Sequence, residues 1–394
     1  MNENIDVVVI GGGYAGVMAA NRLTQREDVT VTVLNPRRVF VPRLRLHQLV
    51  GGTHDAVVDY QDVLAESVRL VVDNVTRIDA AGRSVTTAES GTIGYDYLVY
   101  AVGSTVAGPP VPGAAEFSHP VATLEAAQQL RSTLFDTPMT AAVTVVGGGP
   151  TGIETAAELA EQGRAVTLVC GSVLGPYLHP KARRTARKYF AGLGVTVIEG
   201  AEVTAVTRDT VELDDGRTLP SAVTIWTAGF GVPDLAGHSG LSTDAAGRLL
   251  TDETLTSVDD ERIVAAGDSS APSDLPFRMS AYTAYCLGAH AADTLLHRIA
   301  GEQPTPIDMS FPAMCHSFGR DAGIYQLGHK DETAMRVFFS GFLGKKLKEF
   351  ACNAGIEHLA NEARKPGSHH WFKDGKHRPQ LLRAQRDKAA EPAV

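Results

Sequence analysis

The stretch Ile5-Asp-Val-Val-Val-Ile-Gly-Gly-Gly-Tyr-Ala-Gly16 reads as a buried strand, a tight glycine turn and the opening of a helix. Its apolar, β-branched run from Ile5 to Ile10 predicts the strand, and the residues beyond Gly16 continue in a helix-forming pattern. Gly11 makes the turn, Gly13 lets the backbone approach a pyrophosphate, and Gly16 lets helix and strand pack closely. Bare amides and the positive helix end then hold the phosphates. The arrangement recurs about a third of the chain later, where Ala142 to Val146 leads into Gly147-Gly-Gly-Pro-Thr-Gly152. One such motif marks a nucleotide; two mark an electron path.

The rest of the chain is compatible with that path. Its 394 residues suggest two or three domains, each large enough for a core. With 44% hydrophobic and 21% charged residues the composition is that of a globular enzyme, and no apolar run approaches the roughly 18 residues of a membrane span. The amino terminus enters its first strand without a basic, apolar signal stretch, so the expected location is cytoplasmic. Cys170, Cys286, Cys315 and Cys352 show no CxxC or CxxxxC spacing, so electrons are expected to pass without a thiol relay. No metal site is assigned.

Charge is split along the chain. Residues 1–340 hold 25 Lys and Arg against 39 acids, whereas 341–394 hold 11 against 6, within a net charge of -9. An acidic body without a reader motif argues against nucleic acid. A basic end suits an anionic membrane surface on the cytoplasmic face. The segment Val337 to Phe350 interleaves Phe339, Phe342, Leu343, Leu347 and Phe350 with Lys345, Lys346 and Lys348. It reads as an amphipathic stretch for a membrane interface, or for packing on the body or a dimer partner. The tail beyond Lys365 reads as extended or partly disordered.

Further strands are expected at Val29 to Leu34, Val68 to Val72, Tyr95 to Ala101, Ala165 to Val169 and Val195 to Ile198, with a linker at Gly108 to Gly113 and a small-residue helix at Met279 to Ile299. The fold class is α/β with two Rossmann-type dinucleotide-binding domains and a carboxyl-terminal segment.

Four further motifs resemble those of the two-dinucleotide-binding flavoprotein reductases, in particular the type II NADH dehydrogenases and their apoptosis-inducing-factor-like relatives, over roughly residues 5–300. They are Thr92-Ile-Gly-Tyr-Asp-Tyr-Leu-Val-Tyr-Ala-Val-Gly103, Val145-Val-Gly-Gly-Gly-Pro-Thr-Gly-Ile-Glu154, Thr227-Ala-Gly229 and Ile263-Val-Ala-Ala-Gly-Asp268. The resemblance implies an FAD domain formed by 1–111 and 232–305, an inserted NAD(P)H domain at 112–231, and a membrane-surface or dimerisation segment at 306–394. It places Gly11, Gly13, Tyr14, Ala15, Gly16, Asn35, Pro36, Arg43, Val75, Ala101, Gly103, Asp268 and Ala281 on FAD. It places Gly147, Gly149, Pro150, Thr151, Gly152, Cys170 and Gly229 on the pyridine nucleotide.

The implied reaction is hydride transfer from NADH or NADPH to flavin, then on to a quinone-like acceptor. Glu154 is the candidate catalytic carboxylate beside the nicotinamide, against the alternative of an ordinary acid in the first turns of a helix. Asn35 and Cys170 stand where an acid normally meets each adenine ribose. Asn35 can still accept a hydrogen bond, and Cys170, with Arg183 or Arg184 nearby in sequence, leaves NADPH open. Arg43 is the candidate cofactor or substrate contact in the loop Phe40 to Gln48, and His47 reads as a structural residue. Where the family carries two glutamines facing quinone, this chain has Ala281-Tyr-Thr-Ala-Tyr-Cys286. Tyr282 and Tyr285 there serve either as substrate contacts or as packing. Two other readings stand beside the dehydrogenase: a dedicated biosynthetic or detoxifying flavin oxidoreductase, and a nucleotide-binding redox sensor.

Overall fold

The computed structural model describes residues 4–106, 108 and 111–390, so the expected linker at 108–113 lies partly outside the described residues. Strand Ile5–Ile10 forms the middle of a five-stranded parallel sheet in the order Ile263–Ala265, Tyr97–Tyr100, Ile5–Ile10, Val29–Asn35, Arg69–Val72. Its side chains are buried on both faces: Val7 and Val9 join one core, Val8 and Ile10 another. That is why the strand reads as a continuous apolar run rather than an alternating one. One face is covered by helices Tyr14–Leu23 and Ala281–Ile299, packed against each other.

A second parallel sheet repeats the plan in the order Ser118–Pro120, Val223–Trp226, Ala142–Val146, Ala165–Val169, Thr196–Ile198. In both sheets the strand feeding the glycine loop is central and parallel to its neighbours, so each loop emerges at the carboxyl edge, where open α/β sheets bind ligands. The chain leaves the first sheet after Tyr97–Tyr100 and returns to it only at Ile263–Ala265. The outgoing and returning segments pair side by side, Thr105–Val106 antiparallel to Phe230–Gly231.

The carboxyl-terminal part is a three-stranded antiparallel sheet, Ala313–Phe318, Ala322–Gly328 and Ala334–Ser340, followed by helices Gly341–Arg364 and His377–Ala390. Two expectations need correction here. The stretch 337–350 is not one amphipathic element: strand runs to Ser340, and Gly341 at φ +64° turns the chain into the helix. The segment after Lys365 is docked rather than extended. His369, Asp374 and Arg378 are buried, Arg378 pairs with Glu253 at 2.8 Å, and the Trp371 indole donates to the Asp308 carbonyl at 2.9 Å. Glu253, 125 residues upstream, neutralises Arg378, a pairing that local composition does not reveal.

Candidate functional site

The two glycine loops are built alike. Gly11 (φ +105°) and Gly147 (φ +123°) hold conformations that other residues avoid, and a Cβ at either would strike the crossing strand, at the Ala101 carbonyl or the Thr227 hydroxyl. A Cβ at Gly16 or Gly152 would strike the carbonyl of Gly11 or Gly147, which fixes helix against turn. Gly13 and Gly149 instead face open space and serve as helix N-caps without a side-chain bond. The first N–H groups of helices Tyr14–Leu23 and Pro150–Glu161 are therefore aimed where a phosphate would lie. Thr151 and Gly229 border one narrow cleft with Trp226 and Phe230 at the second loop.

The residues at the expected ribose positions act from beneath the loops. Asn35 is buried, its carbonyl accepting from the Gly12 N–H at 3.0 Å and its amide donating to the Arg37 carbonyl at 2.8 Å. The Tyr60 hydroxyl donates to the Gly12 carbonyl at 2.7 Å. Asn35 thus spends its amide on the loop itself, a role that spacing alone did not predict. Pro36 beside it is exposed. Cys170 packs under Gly148, and burial pushes its thiol up to about 12, so it is neutral. Arg183 reaches only main-chain carbonyls such as that of Leu178 at 3.3 Å, and Arg184 that of Pro180 at 3.5 Å.

Three expected residues of the first unit, Arg43, Gly103 and Asp268, converge. The Arg43 guanidinium donates to the Ser104 carbonyl and hydroxyl, both at 2.9 Å, and the Ser104 hydroxyl donates to Asp268 at 2.6 Å. Gly103 donates through its N–H to Ser269 at 3.3 Å. Burial raises the Asp268 carboxyl and lowers the Arg43 guanidinium. Gly267 packs against Ala15 and Ala284, so the Gly-Asp motif, the first glycine-loop helix and helix Ala281–Ile299 meet. Ser104, which links Arg43 to Asp268, was not singled out from sequence although it follows the quoted Gly103. Val75 lies apart, in an antiparallel arm packed on the core around Ile78 and Val85.

Glu154 is buried and ion-paired, not solvated. Its Oε1 accepts from Lys348 Nζ at 2.5 Å and from the Ser317 N–H at 3.0 Å, while Oε2 lies 3.5 Å from His47 Nδ1. The His47 Nε2 is 3.4 Å from the Ser317 hydroxyl, an arrangement that suits Nδ1–H facing the carboxylate. Burial alone would raise the Glu154 carboxyl; Lys348, then His47, hold it down at about 2. Burial works against the Lys348 ammonium as well, but the acidic groups around it, Glu154 among them, raise it. Burial depresses His47 and His316 to about 4, so both are neutral near pH 7. His316 is buried beside the pair with both ring nitrogens lacking a partner. Lys348 can reach this point because Gly344, one turn earlier, sits so close to the Gly323 carbonyl that no Cβ fits. Neither Lys348 nor His316 was foreseen.

The tyrosines at the glutamine positions are embedded in an aromatic cluster. Tyr285 is buried with ring centroids 6.5 Å from Tyr14, 5.5 Å from Tyr282 and 5.1 Å from His369. Tyr282 packs edge-on to Phe311 at 5.7 Å, and its hydroxyl accepts from the Phe372 N–H at 3.3 Å. Both rings pack within this cluster, and Ala281 begins their helix.

An NADH dehydrogenase-like protein of Mycobacterium tuberculosis is 33% identical over 290 residues, covering 67% of this chain and 72% of its own. The type II NADH:quinone oxidoreductase Ndh of that organism is 28% identical over 386 residues, 86% of this chain and 81% of its own. Among solved structures, Plasmodium falciparum NDH2 in complex with NADH superposes with a TM-score of 0.78 at 15% identity, over 93% of this chain and 99% of that one. The Aquifex aeolicus sulfide:quinone oxidoreductase gives 0.76 at 20% identity, over 92% and 93%. The family model described as pyridine nucleotide-disulphide oxidoreductase matches residues 5–286. Two glycine loops on two like sheets, with the first sheet closed by a returning strand, accord with that match: the chain belongs to the pyridine nucleotide-disulphide oxidoreductase family.

Proposed function

We infer that the protein is an FAD-dependent NAD(P)H dehydrogenase that passes electrons to a quinone-like acceptor. The observation that carries this reading is the duplication: two open-faced cradles, at Gly13 and Gly149, at the carboxyl edges of two like sheets joined by paired crossings. The first unit fits FAD, since its cradle offers uncapped amides and its Arg43, Ser104 and Asp268 set supplies a donor, a hydroxyl and an acceptor. The second fits the dinucleotide donor, and its neutral Cys170 at the ribose position carries no charge to repel a 2′-phosphate. FAD when bound supplies two-electron acceptance from a nicotinamide and onward transfer.

The chain's own residues orient and tune. Gly149 and Thr151 would hold one nucleotide, and Gly13, Ser104 and Asp268 the other. Glu154 remains ionised although buried, held by Lys348 and the Ser317 N–H, beside two imidazoles that burial keeps neutral. The quinone-like acceptor is supported by the quinone-reducing relatives. Among the described residues no helix is long and apolar enough to cross a membrane. The helix Gly341–Arg364 nevertheless exposes Phe342 (67%) and Phe350 (68%) beside Lys346, as a surface-binding helix does.

Anaerobic mixing of the purified protein with NADH or NADPH, followed by menadione, tests the reading. Flavin bleaching by the nucleotide and recovery on quinone are expected. A purified protein that retains no flavin, and takes none up, overturns it. Loss of vesicle pelleting in the Phe342→Ser/Phe350→Ser variant tests the surface contact.

A further inference from the structure

Beyond the nucleotide cradles, a cleft of about 460 Å³ opens between the end of helix Gly341–Arg364 and the segment that follows it. Its wall carries His358, Asn361, Arg364, Lys365, His369 and His370, with no carboxylate among its lining residues. The nearest buried acid, Glu362, is already saturated. It pairs with Arg22 at 3.1 Å and accepts from the N–H groups of Gly367 at 2.6 Å and His369 at 2.7 Å. Arg364 and Lys365 stand exposed at the rim, and among the described residues neither is in an ion pair.

The floor is His369, buried and held between rings: Tyr285 at 5.1 Å, His358 at 4.8 Å and Trp371 at 6.1 Å. Among the described residues its Nε2 meets only the Cys286 sulfur, 3.9 Å away. Burial, then the neighbouring His358 and Arg22, depress it to about 3, and burial likewise lowers His358. The cleft therefore offers two cationic side chains at its mouth and neutral, N–H-bearing imidazoles inside. That donor set matches a phosphate oxyanion.

The cleft also has a fixed relation to the aromatic face of its helix. Phe342, Lys346, Phe350, Glu357, Asn361 and Arg364 follow one another at intervals that place them on one face, and all are exposed. The helix has 24 residues, about 36 Å at the usual rise, so a flat surface resting on Phe342 and Phe350 also runs past the mouth of the cleft. Phe372, 65% exposed, follows the cleft residues on the other side.

We propose that this cleft is a binding site for the phosphate of an anionic phospholipid headgroup, seated when the helix lies on a membrane. The proposal rests on the membrane-surface reading above. Because Tyr285 lies between His369 and Tyr14, a seated headgroup lies one aromatic ring from the first glycine loop.

The test uses the full-length holoprotein with specifically ¹⁵N-labelled histidine. Vesicles of phosphatidylcholine, alone or mixed with phosphatidylglycerol, are compared by sedimentation. Arg364→Ala/Lys365→Ala is expected to weaken binding to the anionic vesicles about tenfold or more, and Arg69→Ala/Arg77→Ala, an equal charge loss elsewhere, by less than about twofold. Soluble glycerophosphoglycerol should move the His358 and His369 resonances in the wild type and not in the Arg364→Ala/Lys365→Ala variant. If inorganic phosphate at equal ionic strength moves them as strongly and vesicles are not bound, the source is a free phosphate compound and the headgroup assignment is overturned. Histidine resonances that respond to neither phosphate overturn the site itself, even where vesicles still bind through Phe342 and Phe350. Equal vesicle affinity of the cleft variant and the wild type does the same.

Discussion

Replacing Lys348 by methionine is the most direct probe of the buried centre. The substitution keeps the aliphatic stem and removes the ammonium 2.5 Å from Glu154, leaving a carboxylate whose remaining donors are the Ser317 N–H and a neutral His47. Breaking one side of a buried pair costs about 3–5 kcal/mol, because the surviving charge stays desolvated. Glu154 has an alternative: burial, the largest influence on it, is then opposed only weakly, so its pKa climbs from about 2 to beyond its ordinary 4.5 and it takes up a proton near neutrality. Urea unfolding with FAD in excess should show the loss. Glu154→Gln/Lys348→Met should recover much of it, leaving a coupling of about 2 kcal/mol or more in the cycle. The rate of flavin reduction by NADH gives a second readout. In the wild type it should be flat above pH 5 as far as Glu154 is concerned, whereas in Lys348→Met an added limb should rise with pH as the carboxyl ionises. A destabilisation under about 1 kcal/mol together with an unchanged pH profile would refute the buried pair and the role given to Glu154.

Gly344→Val should reproduce much of that phenotype without touching a charge, since its side chain meets the Gly323 carbonyl and lifts the helix; combined with Lys348→Met it should add little. Gly11→Val should fail to fold, while Gly149→Val, whose Cβ would point into open space, should stay folded and raise the KM for NADH about tenfold or more, measured by steady-state kinetics. Acid lability is expected from the buried histidines: His47, His290 and His316, all depressed to about 4 against 6.5 unfolded, favour the folded state fully above pH 6.5 and lose that contribution as pH falls toward 4. Each is worth on the order of 3 kcal/mol, so thermal midpoints should drop steeply across that window; a midpoint unchanged between pH 7 and 4.5 contradicts it. Cys170→Asp should raise the NADPH to NADH ratio of KM values by about tenfold, through repulsion of a 2′-phosphate; an unchanged ratio argues that the ribose lies elsewhere.

What was legible in the sequence and what was not divides along a physical line. The glycine loops were legible because their requirement is local: Gly11 and Gly147 need a positive φ, Gly16 and Gly152 need no Cβ, and both conditions fall within six residues of a strand that is buried on both faces. Arg43 and Asp268 were legible only through resemblance, since nothing near either of them in the chain announces that Ser104, next to Gly103, will join them. The centre at Glu154 was half legible. Its carboxylate stood at a motif position, but its partner lies 194 residues away among three lysines that look alike. Lys345 ends 3.6 Å from Asp321, Lys346 lies over the Phe342 ring, and Lys348 alone goes inside. What chooses among them is the contact of Gly344 with Gly323: it fixes which face of the helix meets the sheet, and position 348, one turn on, shares that face. A glycine four residues before a lysine, on a helix otherwise rich in exposed aromatics, was therefore the available signal. It argues for burial of that lysine wherever an unpaired carboxylate already waits in the core, because an ammonium enters such a site only opposite a charge that repays its desolvation.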